Sequence, residues 1–363
     1  MTRGTDFDNF WAAHAGDARR RILFVLGRGF DPRTTFALSR LREVAPTCHI
    51  DLLGLEYVDP NRTHTEAHLT AAQGNWTTAI SAIKSPGTVS TKKIEFRSAD
   101  KRRVAARNAA NIFSQESDLN SFTDVVVDIS AMPRAVYFPL ISRLLFFHDQ
   151  LAEASQFAPN IHVIVSEDPE FDMQIREEGV DETGSFLHPF EGAFMREAKG
   201  SQPAIWIPVL GEGRLAQLNS IYEAIKANEI CPVLPSPARN PRRGDNIITE
   251  YRAFLFDSLG VEPRDVMYAS EFNPIDVYRQ VRRATLHYDE VLKLVGGCRV
   301  ALSAQCSKLT SLGVLLVAYE LKACDIKPGI VHAECETYIL PVGVNPKTEL
   351  VGLWLAGECY LKN

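Results

Sequence analysis

The stretch Ile22–Arg33, ILFVLGRGFDPR, sets the strongest constraint on the fold. An apolar run stops at two glycines, an arginine, an aspartate and a second arginine, and a helical pattern follows. That is how a buried strand, a tight loop and a helix are written in sequence. The same event recurs at Ile205–Arg214, IWIPVLGEGR, ahead of the amphipathic stretch LAQLNSIYEAIKANEI. A strand that leads into a helix pairs next with a parallel strand, so a chain carrying this turn twice is expected to form two α/β halves.

Strand and helix alternate between the two turns. TTFALSRLREV places Phe36, Leu38, Leu41 and Val44 on a helical period, and CHIDLLGLEYV supplies the next strand, which completes a β-α-β unit. HLTAAQGNWTTAISAI reads as a helix weakened by Gly74, and KKIEF as a short strand. TDVVVDISAMPR is an apolar run of the kind covered on both faces in a parallel sheet, followed by a helix and the strand IHVIVSEDPE. The second half repeats this order with CPVLPSP, a helix opened by Asn273 before Pro274, then CRVALSAQCSK, a further helix and GIVHAECETYIL. Set side by side, VVVDISAMPR and RVALSAQCSK coincide at Ser130 with Ser303 and at Ala131 with Ala304. The expected fold class is α/β, with two Rossmann-like doubly wound parallel-sheet halves related by pseudo-duplication. The first domain is expected over 1–199, led in by a helix carrying Phe7, Phe10, Trp11 and His14. The second is expected over 200–363, ending in a hairpin with Asn345-Pro346 in its turn.

A length of 363 residues fits two domains of ordinary size. The net charge of -6 argues against a protein that coats nucleic acid non-specifically. Apolar runs are broken early by charge, as by Arg143 in VYFPLISRLLFFH, so no membrane span is expected. MTRGTDFDNFW lacks the apolar core of a secretory signal, and a cytoplasmic protein is the expectation. Seven scattered cysteines, none spaced C-x-x-C, read as buried thiols.

In an open parallel sheet, ligands collect where strand order reverses, at the carboxyl ends of the first and fourth strands. This puts Gly27, Arg28, Gly29, Asp31 and Arg33 near Ser130, Met132, Pro133 and Arg134 in the first half. In the second it puts Gly211, Glu212, Gly213 and Arg214 near Ser303, Gln305, Ser307 and Lys308. Glycines let backbone N–H groups approach an anion, and the helix that follows adds its positive end, so phosphate is the natural guest. The third glycine of the dinucleotide fingerprint is absent, as is G-x-x-x-x-G-K-[ST]; tight turns required by packing are the competing reading. No G-x-S-x-G or H-E-x-x-H occurs. His64 and His68, four apart, read as a surface pair, and no metal site is expected. Asp31 and Asp128 are the candidates for metal or proton chemistry if the protein is an enzyme, with helix capping or pairing to arginine as the alternative.

The strand-one turns GRGFDPR and GEGRLAQ and the strand-four loops DISAMPR and LSAQCSK resemble those of the CARF-type Rossmann-like sensors of prokaryotic antiviral defence. The resemblance covers most of both halves. It implies a regulatory protein that binds a nucleotide or other phosphorylated small molecule and acts through a separate effector protein or by its own weak chemistry, with a homodimer among the expected assemblies. No effector nuclease or membrane domain follows the two halves, a departure from the family pattern. The alternatives are a nucleotide-processing hydrolase or transferase using Asp31 and Asp128, and a non-catalytic scaffold; no cofactor is named by any motif.

Overall fold

A computed structural model describes residues 1–59, 65–172, 174–195, 202–339 and 346–360. The first elements are β1 (Thr2–Arg3), α1 (Gly4–His14), β2 (Arg21–Gly27), α2 (Phe36–Val44), β3 (His49–Val58), α3 (Glu66–Ser81), β4 (Val89–Glu95), α4 (Ala105–Ala110), β5 (Asp124–Asp128), α5 (Arg134–Glu153), β6 (Asn160–Glu167) and α6 (Pro169–Asp172). Then come β7 (Arg176–Val180), β8 (Ser185–Phe186), β9 (Ala204–Leu210), α7 (Leu215–Ile225), β10 (Glu229–Ile230), β11 (Val233–Pro235), α8 (Arg243–Arg252) and β12 (Met267–Ala269). The chain closes with α9 (Pro274–Leu292), β13 (Arg299–Gln305), α10 (Lys308–Leu321), β14 (Gly329–His332), β15 (Cys335–Ile339) and β16 (Glu349–Ala356). It divides into two units, one of Met1–Phe171 with Pro341–Asn363 and one of Asp172–Leu340.

The sheet of the first unit runs β1-β16-β6-β5-β2-β3-β4. Strands β2 to β6 are parallel, while β16 lies antiparallel to β6 and β1 antiparallel to β16. All of Ile22–Gly27 is buried because β2 is central and covered on both faces, which explains its unbroken apolar run. One face is filled by Phe7 and Trp11 of α1, Leu38 and Leu41 of α2 and Trp76 of α3, packed on Ile22, Phe24 and Leu26.

The sheet of the second unit runs β12-β11-β9-β13-β14-β8, with β10 also pairing β9. Numbered within each unit, both sheets order their parallel strands third, second, first, fourth, fifth, so the shared topology expected from the two turns is present. No helix of the described residues is long and apolar enough to cross a membrane.

Three expectations are corrected. The first concerns the domain limits of 1–199 and 200–363, which fail at both ends. Strand β8 pairs antiparallel with β14 and β7 with β15, so the chain from Asp172 belongs to the second unit, whereas β16 completes the first sheet. The second concerns the C-terminal hairpin, whose two strands choose different partners, β15 taking β7 and β16 taking β6. Asn345, which was expected in its turn, lies outside the described residues, as does His64. The third concerns the cysteines: all are free thiols, but Cys324 and Cys359 are exposed.

Helix α1 is tied to the amino end of β5 and β6 by a buried polar cluster. His14 Nε2 lies 2.7 Å and His162 Nε2 3.1 Å from Asp124 Oδ1, which also accepts from Asn160 Nδ2 at 2.9 Å. Thr123 donates to Asp124 Oδ2 at 2.7 Å, and Arg20 Nη1 approaches that oxygen to 3.7 Å. The rings of Phe10, Trp11 and Trp354 pack around the two imidazoles. Burial alone would raise the Asp124 carboxyl, but the hydrogen bonds from His14, His162 and Thr123 outweigh it and hold the group well below the usual range. Burial depresses the proton affinity of His162 despite its bond to Asp124.

The sign of the resulting pH dependence is fixed. Below the ordinary histidine value of about 6.5 the unfolded chain binds a proton that folded His162 does not, so unfolding free energy falls as pH falls from 7 towards 5. Urea midpoints measured at both pH values in chelator-containing buffer should show that decline, and His162→Gln should flatten it. An undiminished slope in the variant would assign the effect elsewhere.

Candidate functional site

The order of the first sheet reverses between β2 and β5, so the loops after these strands diverge at their carboxyl ends. They meet where predicted: a Cβ on Gly29 would lie 3.9 Å from the Cβ of Ala131 in the loop after β5. The glycines themselves are explained by side chains. A Cβ at Gly27 would lie 2.2 Å from the Tyr57 hydroxyl, and one at Gly54 would lie 2.6 Å from the Trp76 ring. Arg28, between them, stacks its guanidinium on Trp76 at 4.7 Å and donates to Glu56 at 3.0 Å. Asn75 Nδ2 pins the loop by donating to the carbonyls of Gly29 and Asp31, each at 2.9 Å.

Asp31 caps the short 3₁₀ turn Pro32–Thr35 by accepting from the Arg33 amide, and its two oxygens are gripped by the Arg33 guanidinium at 3.0 and 2.8 Å. Arg33 is buried, with its guanidinium 5.0 Å from the centre of the Phe171 ring. Phe30 stacks on His68 with centroids 4.1 Å apart. Arg28 and Arg33 are thus each compensated by an acid, Glu56 and Asp31.

In the loop after β5, Asp128 Oδ1 accepts from both the amide and the hydroxyl of Ser130, and Ser130 Oγ accepts from the Ser166 amide at 2.8 Å. Met132 is buried. Both were expected as ligand contacts; the geometry instead uses them to fasten β5 to β6 and to fill the core. Arg134 begins α5, a 20-residue helix preceded by Pro133 and lacking a side-chain cap. The donors at the start of a long helix carry its positive end.

Sequence reasoning missed Tyr57. Its hydroxyl is enclosed beside Gly27 and has no hydrogen-bond partner among the described residues. Burial pushes the phenol far above its ordinary value, and the charge of nearby Asp128 adds to the shift. Gly27 was the available signal, because a strand that ends on glycine leaves room for a neighbour's side chain.

The equivalent place in the second unit is arranged differently. A Cβ at Gly211 would lie 2.7 Å from the Gln305 carbonyl, so that glycine serves strand packing. Gly213, at φ +76°, gives its amide to the Glu250 carboxylate, 3.0 Å from both oxygens. The Arg214 amide donates to the Tyr251 hydroxyl, which itself donates to the Gly211 carbonyl. Glu212 pairs with Arg243 and accepts from Asn246. Ser303 is buried and accepts from the Trp206 indole at 2.9 Å, Ser307 caps α10 through the Thr310 amide, and Lys308 opens that helix. The Gln305 side chain is buried, its amide oxygen without a partner among the described residues. The Gly213 amide, expected to face an anion, is thus held by a carboxylate of the same unit.

No protein-family model matches the chain, and no curated protein does. Among solved structures it is similar to a triple mutant of a deacetylase of the teicoplanin biosynthetic pathway, at 16% identity and a TM-score of 0.26, over 47% of this chain and 76% of that one. It is also similar to a putative universal stress protein from Pseudomonas aeruginosa UCBPP-PA14, at 14% identity and a TM-score of 0.22, over 87% and 94%. A functionally unknown protein from Pseudomonas aeruginosa PAO1 is similar at 12% identity and a TM-score of 0.23, over 88% and 93%.

Proposed function

We propose that this protein binds a phosphorylated small molecule of nucleotide type at the strand-order reversal of the first unit and acts as a regulatory sensor. The observation that carries this reading is the Tyr57 hydroxyl, enclosed at the turn without a hydrogen-bond partner among the described residues, near Asp128 at the end of β5. A buried polar group of this kind costs free energy until something bonds to it. The uncapped start of α5 and Arg134 supply positive potential for phosphate. Phe30, stacked on His68 at the rim, gives it an aromatic surface that suits a base. Binding without turnover is favoured because Asp31 is held by Arg33 through both oxygens and one oxygen of Asp128 accepts from Ser130. A role in antiviral defence through a separate effector belongs to the same proposal and is motivated by the turns GRGFDPR and DISAMPR.

Calorimetry with AMP, ATP, a cyclic dinucleotide and inorganic phosphate tests it. At least one should bind, and Arg134→Ala should weaken that binding by about 1.5–3 kcal/mol, the range for hydrogen bonds to charged groups. Tyr57→Phe should weaken it by about 0.5–1.5 kcal/mol while leaving the melting temperature of the free protein unchanged or higher, since an unsatisfied hydroxyl is removed. No binding across the panel, with no phosphorylated compound released from denatured protein, rejects the reading. Unchanged affinity in Tyr57→Phe removes that hydroxyl from the site.

A further inference from the structure

The amino end of the first sheet, the opposite end of β5 from Asp128, holds the cluster of His14, Asp124 and His162. One ligand atom from each lies within 4.8 Å of the other two. We infer that this cluster binds a divalent transition metal of the zinc class, with His14 Nε2, His162 Nε2 and one oxygen of Asp124 as the protein ligands and water in the fourth position. Two imidazoles and a carboxylate are the donor set of such a cation, whereas magnesium and calcium take oxygen ligands.

The crowding at Asp124 Oδ1 points the same way. Its neighbours are His14 Nε2 at 2.7 Å, His162 Nε2 at 3.1 Å and Asn160 Nδ2 at 2.9 Å, three nitrogens converging on an oxygen with two lone pairs. A metal takes the lone pairs of both imidazole nitrogens, so neither has to donate to that oxygen. Tetrahedral zinc with bonds of about 2.0–2.1 Å sets its ligand atoms roughly 3.3 Å apart, a few tenths of an ångström wider than the present contacts. The carboxylate is already oriented from outside, by Asn160 on Oδ1 and by Thr123 and Arg20 on Oδ2, as metal-bound carboxylates are. His14 and His162 sit among the rings of Phe10, Trp11 and Trp354, which wall the imidazoles on their apolar sides, and His14 is the least buried of the three and marks the route in. The ligands come from α1, β5 and β6, far apart in sequence, so no spacing motif announces them.

Full-length protein stripped with chelator is titrated with Co²⁺, followed by visible absorption, and metal per chain is counted by mass spectrometry. Wild type should take up one Co²⁺ with the bands of a tetrahedral centre and release it to Zn²⁺ but not to Mg²⁺. His14→Gln and His162→Gln, each keeping an amide donor towards Asp124, should lower affinity by more than the ~10–100-fold that loss of an outer partner costs. Circular dichroism checks that each variant is folded, and His14→Gln, at the end of α1, is the one that preserves the core. Absence of stoichiometric metal in wild type, displacement by Mg²⁺, or wild-type affinity in folded His14→Gln would each overturn the assignment and leave a hydrogen-bonded clamp.

Discussion

Asp124→Ala should destabilise the first unit by about 3–5 kcal/mol, the cost of removing one partner from a buried charged pair. Asp124 is fully buried, and the change takes from His14, His162 and the Asn160 amide their shared acceptor, while Arg20 keeps Glu358 and Thr123 keeps the Arg21 carbonyl. Against a typical domain stability of about 5–15 kcal/mol this is a large fraction. Denaturant unfolding, with hydrogen exchange to locate the effect, checks it. A loss below about 1 kcal/mol would mean that the cluster relaxes by admitting water.

Gly313→Ala should cost the second unit about 3 kcal/mol, the upper end of the range for overpacking. Gly313 lies in α10 where α9 crosses, and a Cβ there would sit 2.5 Å from the Pro274 carbonyl oxygen, 2.7 Å from the Val277 Cβ and 2.8 Å from the Tyr278 amide nitrogen. Two of these are backbone atoms at the start of α9 and cannot rotate away. The same substitution at Gly74, inside α3 with nothing within 4 Å, should instead stabilise by about 0.5–1 kcal/mol through helix propensity. Melting the two variants in parallel checks both. Equal shifts would mean that propensity, not the helix crossing, governs Gly313.

Much of this architecture was legible because local and global preferences agree. The apolar run of β2 and its glycine turn read correctly, and so did Asn273, whose side chain accepts from the Ile275 amide ahead of Pro274 in α9. Two- and three-residue strands such as β8 and β12 carry too little pattern to detect. Strands β15 and β16 suggested a hairpin by proximity in sequence, but proximity does not fix partners when each can complete a separate sheet. The alignment of Ser130 with Ser303 also fails in register. Leu26 pairs with Asp128 and Leu210 with Gln305, which equates Ser130 with Ser307. Loop length hid this, because α5 starts at Arg134 and α10 at Lys308, so the first loop is the longer. The candidate site was legible as a place and less so as chemistry, since the glycines at 27 and 54 make room for Tyr57 and Trp76.

The pairing of β16 with β6 has a consequence for synthesis on the ribosome. Strand β6 is finished when residue 167 has been added, but its outer edge has no neighbour until residues 349–356 emerge. Meanwhile all of Asp172–Leu340 is made, a contiguous stretch that can close its own sheet without waiting. The earlier unit therefore spends the synthesis of the later one with an unprotected strand edge open to pairing with other chains.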